Sequence, residues 1–428
     1  MIRLNTTEDI ELAGVAAMSE RRRVAYIMSR FPKITETFIL TEILELEKHG
    51  VDVEVFPLLL EKASIQHPEV QKLAGRVHGS PLLSIGIVLA NLYFLLRRPF
   101  TYFESVFSAL AGTIGDRRFF IGALGLLPRA VKIAFDMRKH GIEHVHAHFA
   151  NHPALAAKIV HDLTGIPFSF TAHGSDIHRS QHGLAAKVRA ASFVAMVSNY
   201  NREFVIEKCG ADLASRMVVV HCGVDPELFS PRKSPETSRV AGLRILCVAA
   251  LREVKGHRYL LEACALIAAQ GVEFRCDLVG EGPGREEIRR QIETAGLGDR
   301  VTLHGSQPRT KVLEMMRECD VVVLPSILDR HGRREGIPVT LMEAMACELP
   351  VVSSRLSGIP ELVEDGKTGI LTAPGDSEAL AAALQALQSQ ELRQRYGEEG
   401  RRRVVSEFDL RKSAGRLAAL LRAVSYPE

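Results

Sequence analysis

The sequence predicts two consecutive α/β units, each built on a parallel sheet with helices on both faces. Three observations carry that prediction. The chain has 428 residues, more than one hydrophobic core ordinarily organises. Short apolar runs alternate with stretches of helical spacing, first over 24–221 and again over 244–372. Between the two series, 225–242 holds Pro226, Pro231 and Pro235 among many polar residues, and reads as a linker.

The first unit is expected over 24–230. Its opening strand, 24–28, is a short apolar run suited to a buried parallel strand. Over 36–49 the positions Phe38, Ile39, Ile43 and Leu46 have helical spacing, and Gly50 supplies the stop. Further strands are expected at 51–56, 143–149, 168–172, 193–197 and 217–221. A helical insertion is expected near 81–130. Within it, 82–96 is strongly apolar and is followed by Arg97, Arg98 and Pro99. Its 15 residues fall short of the roughly 20 needed to cross a bilayer. The stretch reads as a helix packed in a core or interface. The other reading is an interfacial helix whose basic flanks, Arg97, Arg98, Arg117 and Arg118, touch anionic lipid.

The second unit is expected over 243–405. Its strands fall at 244–249, 273–279, 300–304, 321–325, 350–353 and 369–372, and its helices at 259–270, 285–295, 310–318 and 338–347. A last helical stretch, within 406–428, closes the chain. Residues 1–23 read as a loose polar lead without the apolar run of a secretory signal.

Composition excludes several classes. Hydrophobic residues make up 46% and charged residues 25%, a globular balance. A net charge of +3 gives no footprint for nucleic acid. The seven cysteines stand singly, so they fit reduced thiols in a cytoplasmic protein better than disulfides or a zinc ribbon.

Chemistry concentrates in a few segments. Over 333–360, Pro338 suits the first turn of a helix running through Leu341, Met345 and Ala346. Free N–H groups of Gly336, Ile337 and Val339, on either side of Pro338, make an anion site with the helix dipole. Glu335 precedes that end and Glu343 lies inside the helix, where carboxylates suit hydroxyls better than phosphate. Glu343 could hold a ribose and Glu335 a sugar. The plainer reading is an acid favouring the dipole and an exposed helical glutamate. Arg252 and Lys255 follow the first strand of the second unit, at the strand end where ligands bind. They could neutralise a diphosphate, or simply be solvated cations. The turn Gly280-Glu281-Gly282-Pro283-Gly284 fails as a dinucleotide fingerprint and reads as a tight loop lining the ligand side.

In the first unit His173, in His173-Gly174-Ser175-Asp176, ends a strand and can approach a substrate closely. The alternative is a surface histidine. His144, His146 and His148 alternate, so they share one side of a strand. No cysteine or carboxylate joins them at metal-ligand spacing, so no metal site is expected. His148 or Asn151 is expected to bind acceptor hydroxyls instead.

These segments, taken in order, resemble glycosyltransferase family 4. The resemblance rests on Glu335-Gly336-Ile337-Pro338 followed by Glu343-Ala344-Met345-Ala346, with seven residues between the two glutamates. It continues in Leu349-Pro350-Val351-Val352, Ser357-Gly358-Ile359-Pro360-Glu361 and Asp365-Gly366-Lys367-Thr368-Gly369. Gly223-Val224-Asp225 with Phe229 and Pro231 also matches. The family implies a GT-B fold: two Rossmann-like parallel-sheet domains facing a deep interdomain cleft, with the last helix crossing back. It implies transfer of a sugar from a nucleotide-diphosphate donor with retention of configuration, and no cofactor or essential metal; no D-x-D occurs here. It places Arg252 and Lys255 on the donor phosphates, and Glu335 and His173 beside the sugar.

The segment Ser29-Arg30-Phe31-Pro32 with Thr35-Glu36-Thr37-Phe38 is similar to that of colanic-acid and exopolysaccharide members. It puts Arg30, Thr35 and Glu36 on the acceptor side. Where many members carry a glycine pair, this chain has Arg30 and Phe31. By the same likeness the donor base is uridine before guanosine. The acceptor is a saccharide, lipid-linked, at the inner face of the cytoplasmic membrane, where the protein would be peripheral. The alternatives are a sugar-nucleotide epimerase of the same fold, a phosphorylase, and a catalytically silent nucleotide-binding subunit.

Overall fold

The computed structural model describes residues 21–32, 37–61, 68–79, 81, 84–231 and 242–424. The chain divides into two units. Unit 1 runs to His221 and regains the chain from Ser413; unit 2 is Cys222–Lys412.

Unit 1 opens with β1 (Arg22–Phe31), α1 (Thr37–Lys48) and β2 (Val51–Leu60). Three helices follow: α2 (Ile85–Arg97), α3 (Pro99–Ala111) and α4 (Arg117–Lys139). Then come β3 (His144–His148), α5 (His152–Thr164), β4 (Phe168–Ala172), α6 (Ser175–His178) and α7 (Leu184–Ala190). The series ends with β5 (Val194–Met196), α8 (Asn199–Cys209) and β6 (Met217–Val219). The six strands pair in parallel in the order β2-β1-β3-β4-β5-β6. Parallel neighbours need crossovers, and the helices supply them.

β1 shows how the period of two sorts side chains. Val24, Tyr26 and Met28 join Ile39, Ile43 and Leu46 of α1 on one face. Ala25 and Ile27 join α4 and α5 residues on the other. The first face is also covered by the end of the chain, through Ala414, Leu417, Ala418 and Leu421. Arg22 fastens that end by donating to the carbonyls of Leu421 (2.7 Å) and Arg422 (2.8 Å).

Unit 2 repeats the plan with β7 (Leu243–Val248), α9 (His257–Ala269), β8 (Phe274–Val279), α10 (Arg285–Thr294) and β9 (Val301–Gly305). It continues through α11 (Arg309–Glu318), β10 (Val321–Leu324), α12 (Val339–Ala346), β11 (Val351–Ser354), α13 (Ile359–Leu362) and β12 (Gly369–Thr372). Three helices finish the chain: α14 (Ser377–Ala386), α15 (Gln390–Glu407) and α16 (Leu410–Ala423). Its parallel sheet has the order β12-β11-β10-β7-β8-β9.

Four expectations change. The apolar stretch 82–96 is not a buried helix: α2 buries only the stripe Ile87, Ala90 and Phe94. Ile85 (79%), Leu96 (73%), Phe100 (89%) and Phe107 (75%) stand exposed. The described start of the expected linker belongs to unit 2. Phe229 is fully buried in its core, and Arg401 donates to the carbonyls of Pro226 and Phe229, both at 3.2 Å. Residues 232–241 lie outside the described residues. The closing helical stretch is two helices, broken at Phe408 and Asp409, where Asp409 pairs with Val224 as an isolated bridge. The unit boundaries accordingly fall at 221/222 and 412/413, not at 230 and 405.

Gly256 adopts φ +71°, and a Cβ there would sit 1.8 Å from the Pro325 carbonyl oxygen. Gly271 has a similar φ, +76°, with open space around it. Gly256→Ala is therefore expected to lower the melting temperature of the full chain well beyond Gly271→Ala. The latter pays only the left-handed strain of about 1–2 kcal/mol. Equal losses would show that the contact with Pro325 does not constrain this turn.

Candidate functional site

In unit 2 the predicted donor residues gather at the carboxyl ends of β7, β8 and β10, where open α/β sheets bind ligands. Three loops meet there backbone to backbone. Leu251 N–H donates to Glu281 O (3.0 Å), Gly284 N–H to Leu251 O (2.9 Å) and Ile327 N–H to Val254 O (2.9 Å). Gly280, at φ +145°, lies so close to the Ala249 carbonyl that a Cβ would come within 1.9 Å of it. The glycine-rich turn 280–284 thus serves as the support of the 249–256 turn, which the sequence reading took for a ligand-lining loop. Its composition reflects two backbones in contact.

That support presents Lys255, whose Nζ lies 2.8 Å from Glu335 Oε2; both side chains are about one-fifth exposed. The two residues, 80 positions apart in sequence, therefore share one spot. Arg252 is exposed beside them, with no side-chain partner among the described residues. Glu335 is delivered by a turn the sequence reading missed. Asp329, 3% exposed, accepts from the N–H groups of His331 and Arg333 (both 2.9 Å) and from Arg333 Nε (2.6 Å). Burial alone would raise its carboxyl, but the bonds from Arg333 and His331 hold it below its ordinary value. The available signal was Asp followed three residues later by Gly332, a turn pattern.

α12 begins at Val339, with Pro338 as its cap and not inside its first turn. Proline carries no capping oxygen, so the first amides of α12, next to Gly336 and Ile337, keep no side-chain acceptor. Glu343, one turn further on, is half-buried. Burial pushes its carboxyl up to about 7 against the opposing charge of Arg309. A carboxyl poised there can both donate to and accept from hydroxyls.

In unit 1 the strand ends hold a chain of polar contacts. Tyr26 O–H donates to Glu42 Oε1 (2.8 Å), and His148 Nε2 meets the same oxygen at 3.0 Å. His148 Nδ1 lies 3.1 Å from His173 Nε2. Burial would raise Glu42, but His148, His146 and Tyr26 outweigh it and hold the carboxyl low. An ionised carboxylate only accepts, so Nε2 of His148 carries a proton. If Nδ1 of His148 carries no proton it accepts and His173 Nε2 donates; a proton there reverses that bond. Burial and then His148 push His173 below its ordinary value, so its ring is neutral at pH 7 and, in the first case, Nδ1 is its accepting nitrogen. Asp176 fixes the loop by accepting from the N–H groups of Ala150 (2.7 Å), His173 (3.1 Å) and Gly174 (2.7 Å). Asn201 Nδ2 donates to His173 O (3.0 Å).

This arrangement corrects two expectations. His148 is fully buried with both ring nitrogens engaged, so it reaches no acceptor hydroxyl directly; it bears on His173 instead. A carboxylate does join the histidines: Glu42, from α1, comes with His146 and His148 within 4.8 Å. The nitrogens of His146 are already matched to Ser169 Oγ (2.7 Å) and Thr171 Oγ1 (2.8 Å). Arg30 is exposed at the end of β1, 3.9 Å from Glu61. Asn151, half-buried, caps the start of α5 by position and lines a cavity. Thr35 and Glu36 lie outside the described residues.

Glu42→Gln is expected to loosen the order of donors and to cost about 1–3 kcal/mol through the weakened charged contacts. In ¹⁵N spectra of histidine-labelled full chain, His173 should be the Nε2–H form in the parent and a mixture in the variant. An Nδ1–H parent, or identical spectra, would disprove the assignment.

Known proteins share this build. Residues 35–228 match the family described as Glycosyltransferase Family 4, and residues 232–403 that described as Glycosyl transferases group 1. The amylovoran biosynthesis glycosyltransferase AmsK of Erwinia amylovora is 30% identical over 85% of this chain and 89% of its own. WcaL of Escherichia coli, provisionally named as a colanic acid biosynthesis glycosyltransferase, is 42% identical over 49% of this chain. The match to WcaL spans about half of that protein's length, 52%. Among solved structures, HepE of Anabaena, in complex with UDP, has a TM-score of 0.69 at 20% identity. It covers 94% of this chain and 100% of its own. Sucrose-phosphate synthase of Thermosynechococcus elongatus has a TM-score of 0.70 at 20% identity, over 94% and 98%. Those two likenesses concern the fold, which is GT-B. With two family matches in sequence and AmsK matched over most of its length, the chain belongs to glycosyltransferase family 4.

Proposed function

We propose that this chain is a retaining glycosyltransferase that moves a hexose from a nucleotide-diphosphate donor to a lipid-linked saccharide in surface-polysaccharide assembly. The observation that carries the reading is the meeting of Lys255 and Glu335 beside Arg252 and the open end of α12. A diphosphate needs fixed positive charge at the moment it leaves. Arg252, Lys255 and the first amides of α12 are suited to supply it. For that reason no essential metal is proposed. Glu335 is suited to the sugar and Glu343 to the ribose hydroxyls. His173 in unit 1 is suited to a sugar hydroxyl or the reacting centre.

UDP is favoured over GDP because HepE is described with UDP and with UDP-glucose. The names of WcaL and AmsK favour exopolysaccharide assembly. Retention rests on the family resemblance, with same-face attack through an oxocarbenium-like state. Peripheral attachment to the inner face of the cytoplasmic membrane is favoured by α2 and α3. They present Ile85, Leu96, Phe100 and Phe107 to solvent next to Arg97 and Arg98. Among the described residues no helix is long and apolar enough to cross a membrane.

Arg252→Ala is expected to weaken UDP binding about tenfold or more, as a lost charged contact does, and to leave uridine binding nearly unchanged. Calorimetry on the full chain reads both, and equal losses would contradict the assigned clamp. For the membrane, Leu96→Glu with Phe100→Glu is expected to release the folded protein from phosphatidylglycerol vesicles in sedimentation. Undiminished binding by that variant would refute attachment through α2 and α3.

A further inference from the structure

Unit 1 contains a cavity of about 170 Å³ between the starts of α4, α5 and α6, separate from the His173 ring. At about 30 Å³ per water it has room for roughly half a dozen waters, too little for a whole ligand but enough for one compact group. Its wall includes Lys187, which is 4% exposed. The ammonium donates to the Ala150 carbonyl and lies 5.3 Å from the centre of the Phe119 ring. It has three protons to donate and makes no ion pair among the described residues. Burial pushes it down to about 8 against the opposing Asp176, so it remains mostly charged at pH 7.

A buried cation is costly unless an anion completes it. Two carboxylates line the cavity, each bonded to backbone N–H groups and each opposing one cation, Asp176 against Lys187 and Asp116 against Arg179. Asp176 accepts from the three backbone N–H groups described above. Asp116 caps α4 by accepting from the N–H groups of Arg118 and Phe119, both at 3.0 Å. At the rim Arg118 and Arg179 are exposed, and no described side chain bonds to either guanidinium. Two further lining atoms, Asn151 Oδ1 and Ser180 Oγ, are buried with no partner. Burial holds the neighbouring His152 below its ordinary value, so it adds no charge at pH 7. The cavity thus sets three cations, Lys187, Arg118 and Arg179, against two backbone-bonded carboxylates around a compact space, with the Ser180 hydroxyl free to donate.

The surroundings say how the anion is carried. The start of α4 lines the cavity; the next turns of that helix expose Ile121 (57%) and Leu124 (47%), and Ile114 (66%) precedes it. Apolar surface adjoining a cationic pocket fits an anion borne on a hydrocarbon chain.

We propose that Lys187, Arg118 and Arg179 form a site for the phosphate or diphosphate group of a lipid-borne ligand. The lipid-borne part rests on the acceptor proposed above; the anion part stands without it.

The test uses the full chain with Arg252→Ala and Lys255→Ala, so that the unit 2 cations cannot contribute. Inorganic pyrophosphate should still bind by calorimetry in that background. Adding Arg118→Ala with Arg179→Ala, both exposed and safe for folding, should weaken it about tenfold or more. Lys187→Met, which keeps the apolar stem, should weaken it likewise. Absence of pyrophosphate binding in the clamp-deleted chain, or indifference to the arginines, would overturn the site. Farnesyl diphosphate should bind at least about fivefold tighter than pyrophosphate because its first carbons meet the apolar rim. Equal affinities would assign the site to a free phosphate or diphosphate and overturn the lipid-borne part, with the transferase reading untouched.

Discussion

Two backbones pressed together set the geometry of unit 2. The turn carrying Arg252 and Lys255 touches the carbonyls of neighbouring loops at distances that leave no room for a Cβ, at Gly256 against Pro325 and at Gly280 against Ala249. With those contacts made, the ends of β7, β8 and β10 form one hydrogen-bonded unit. The backbone under the two cations is then fixed, while the Lys255 side chain is held through Glu335 and that of Arg252 is exposed. Asp329 performs the matching task for the opposite wall. By gathering the N–H groups of residues 331 and 333, it fixes where the chain turns before Glu335.

Unit 1 uses the same device with different residues. Asp176 bonds to backbone groups from the ends of β3 and β4, so the segment before His173 cannot drift from the histidines of β3. The polar face formed by Tyr26, His146 and His148 lies beneath it, fully buried. Buried polar sets are costly when incomplete. Here His146 and His148 are each matched at both nitrogens, while His144 bonds Ser169 Oγ through Nε2 and leaves Nδ1 buried without a partner among the described residues. What reads in sequence as a possible ligand triad is, in the fold, a hydrogen-bonded support for one exposed-side ring.

The strands were legible because their cause is local. A parallel strand buried on both faces is a short apolar run, and 168–172 and 369–372 appear at their predicted limits. Lys255, Glu335, Glu343 and His173 were legible as residues but not as contacts. No spacing rule joins positions 255 and 335; only the strand order brings β7 beside β10. Glu42 was invisible because its neighbours Ile39, Ile43 and Leu46 make it an ordinary polar position of an amphipathic helix. The exposure of α2 was misread for the opposite reason. Apolar content was taken as a sign of burial, although its surroundings leave only one stripe covered. The break at Phe408 and Asp409 has no glycine or proline to announce it. It exists because Phe408 is drawn into the unit 2 core while Asp409 pairs with Val224.

The two cations of the 249–256 turn are electrostatically unequal, and that inequality orders their roles. Arg252 is exposed and has no side-chain partner among the described residues, so its field extends outward and acts on an approaching anion before contact. Lys255 is already neutralised by Glu335 within a partly buried pair. Its charge becomes available to a diphosphate only as that pair loosens or is shared. A phosphate that replaces part of Glu335's hold on Lys255 frees a carboxylate to accept hydroxyl protons a few ångströms away, the kind of partner a sugar provides. Donor phosphate and donor sugar would then be recognised through one linked exchange, with a lone phosphate unable to satisfy both residues. On the proposed reading the pair would be more than a structural contact, since it would couple the two ends of the donor to one another.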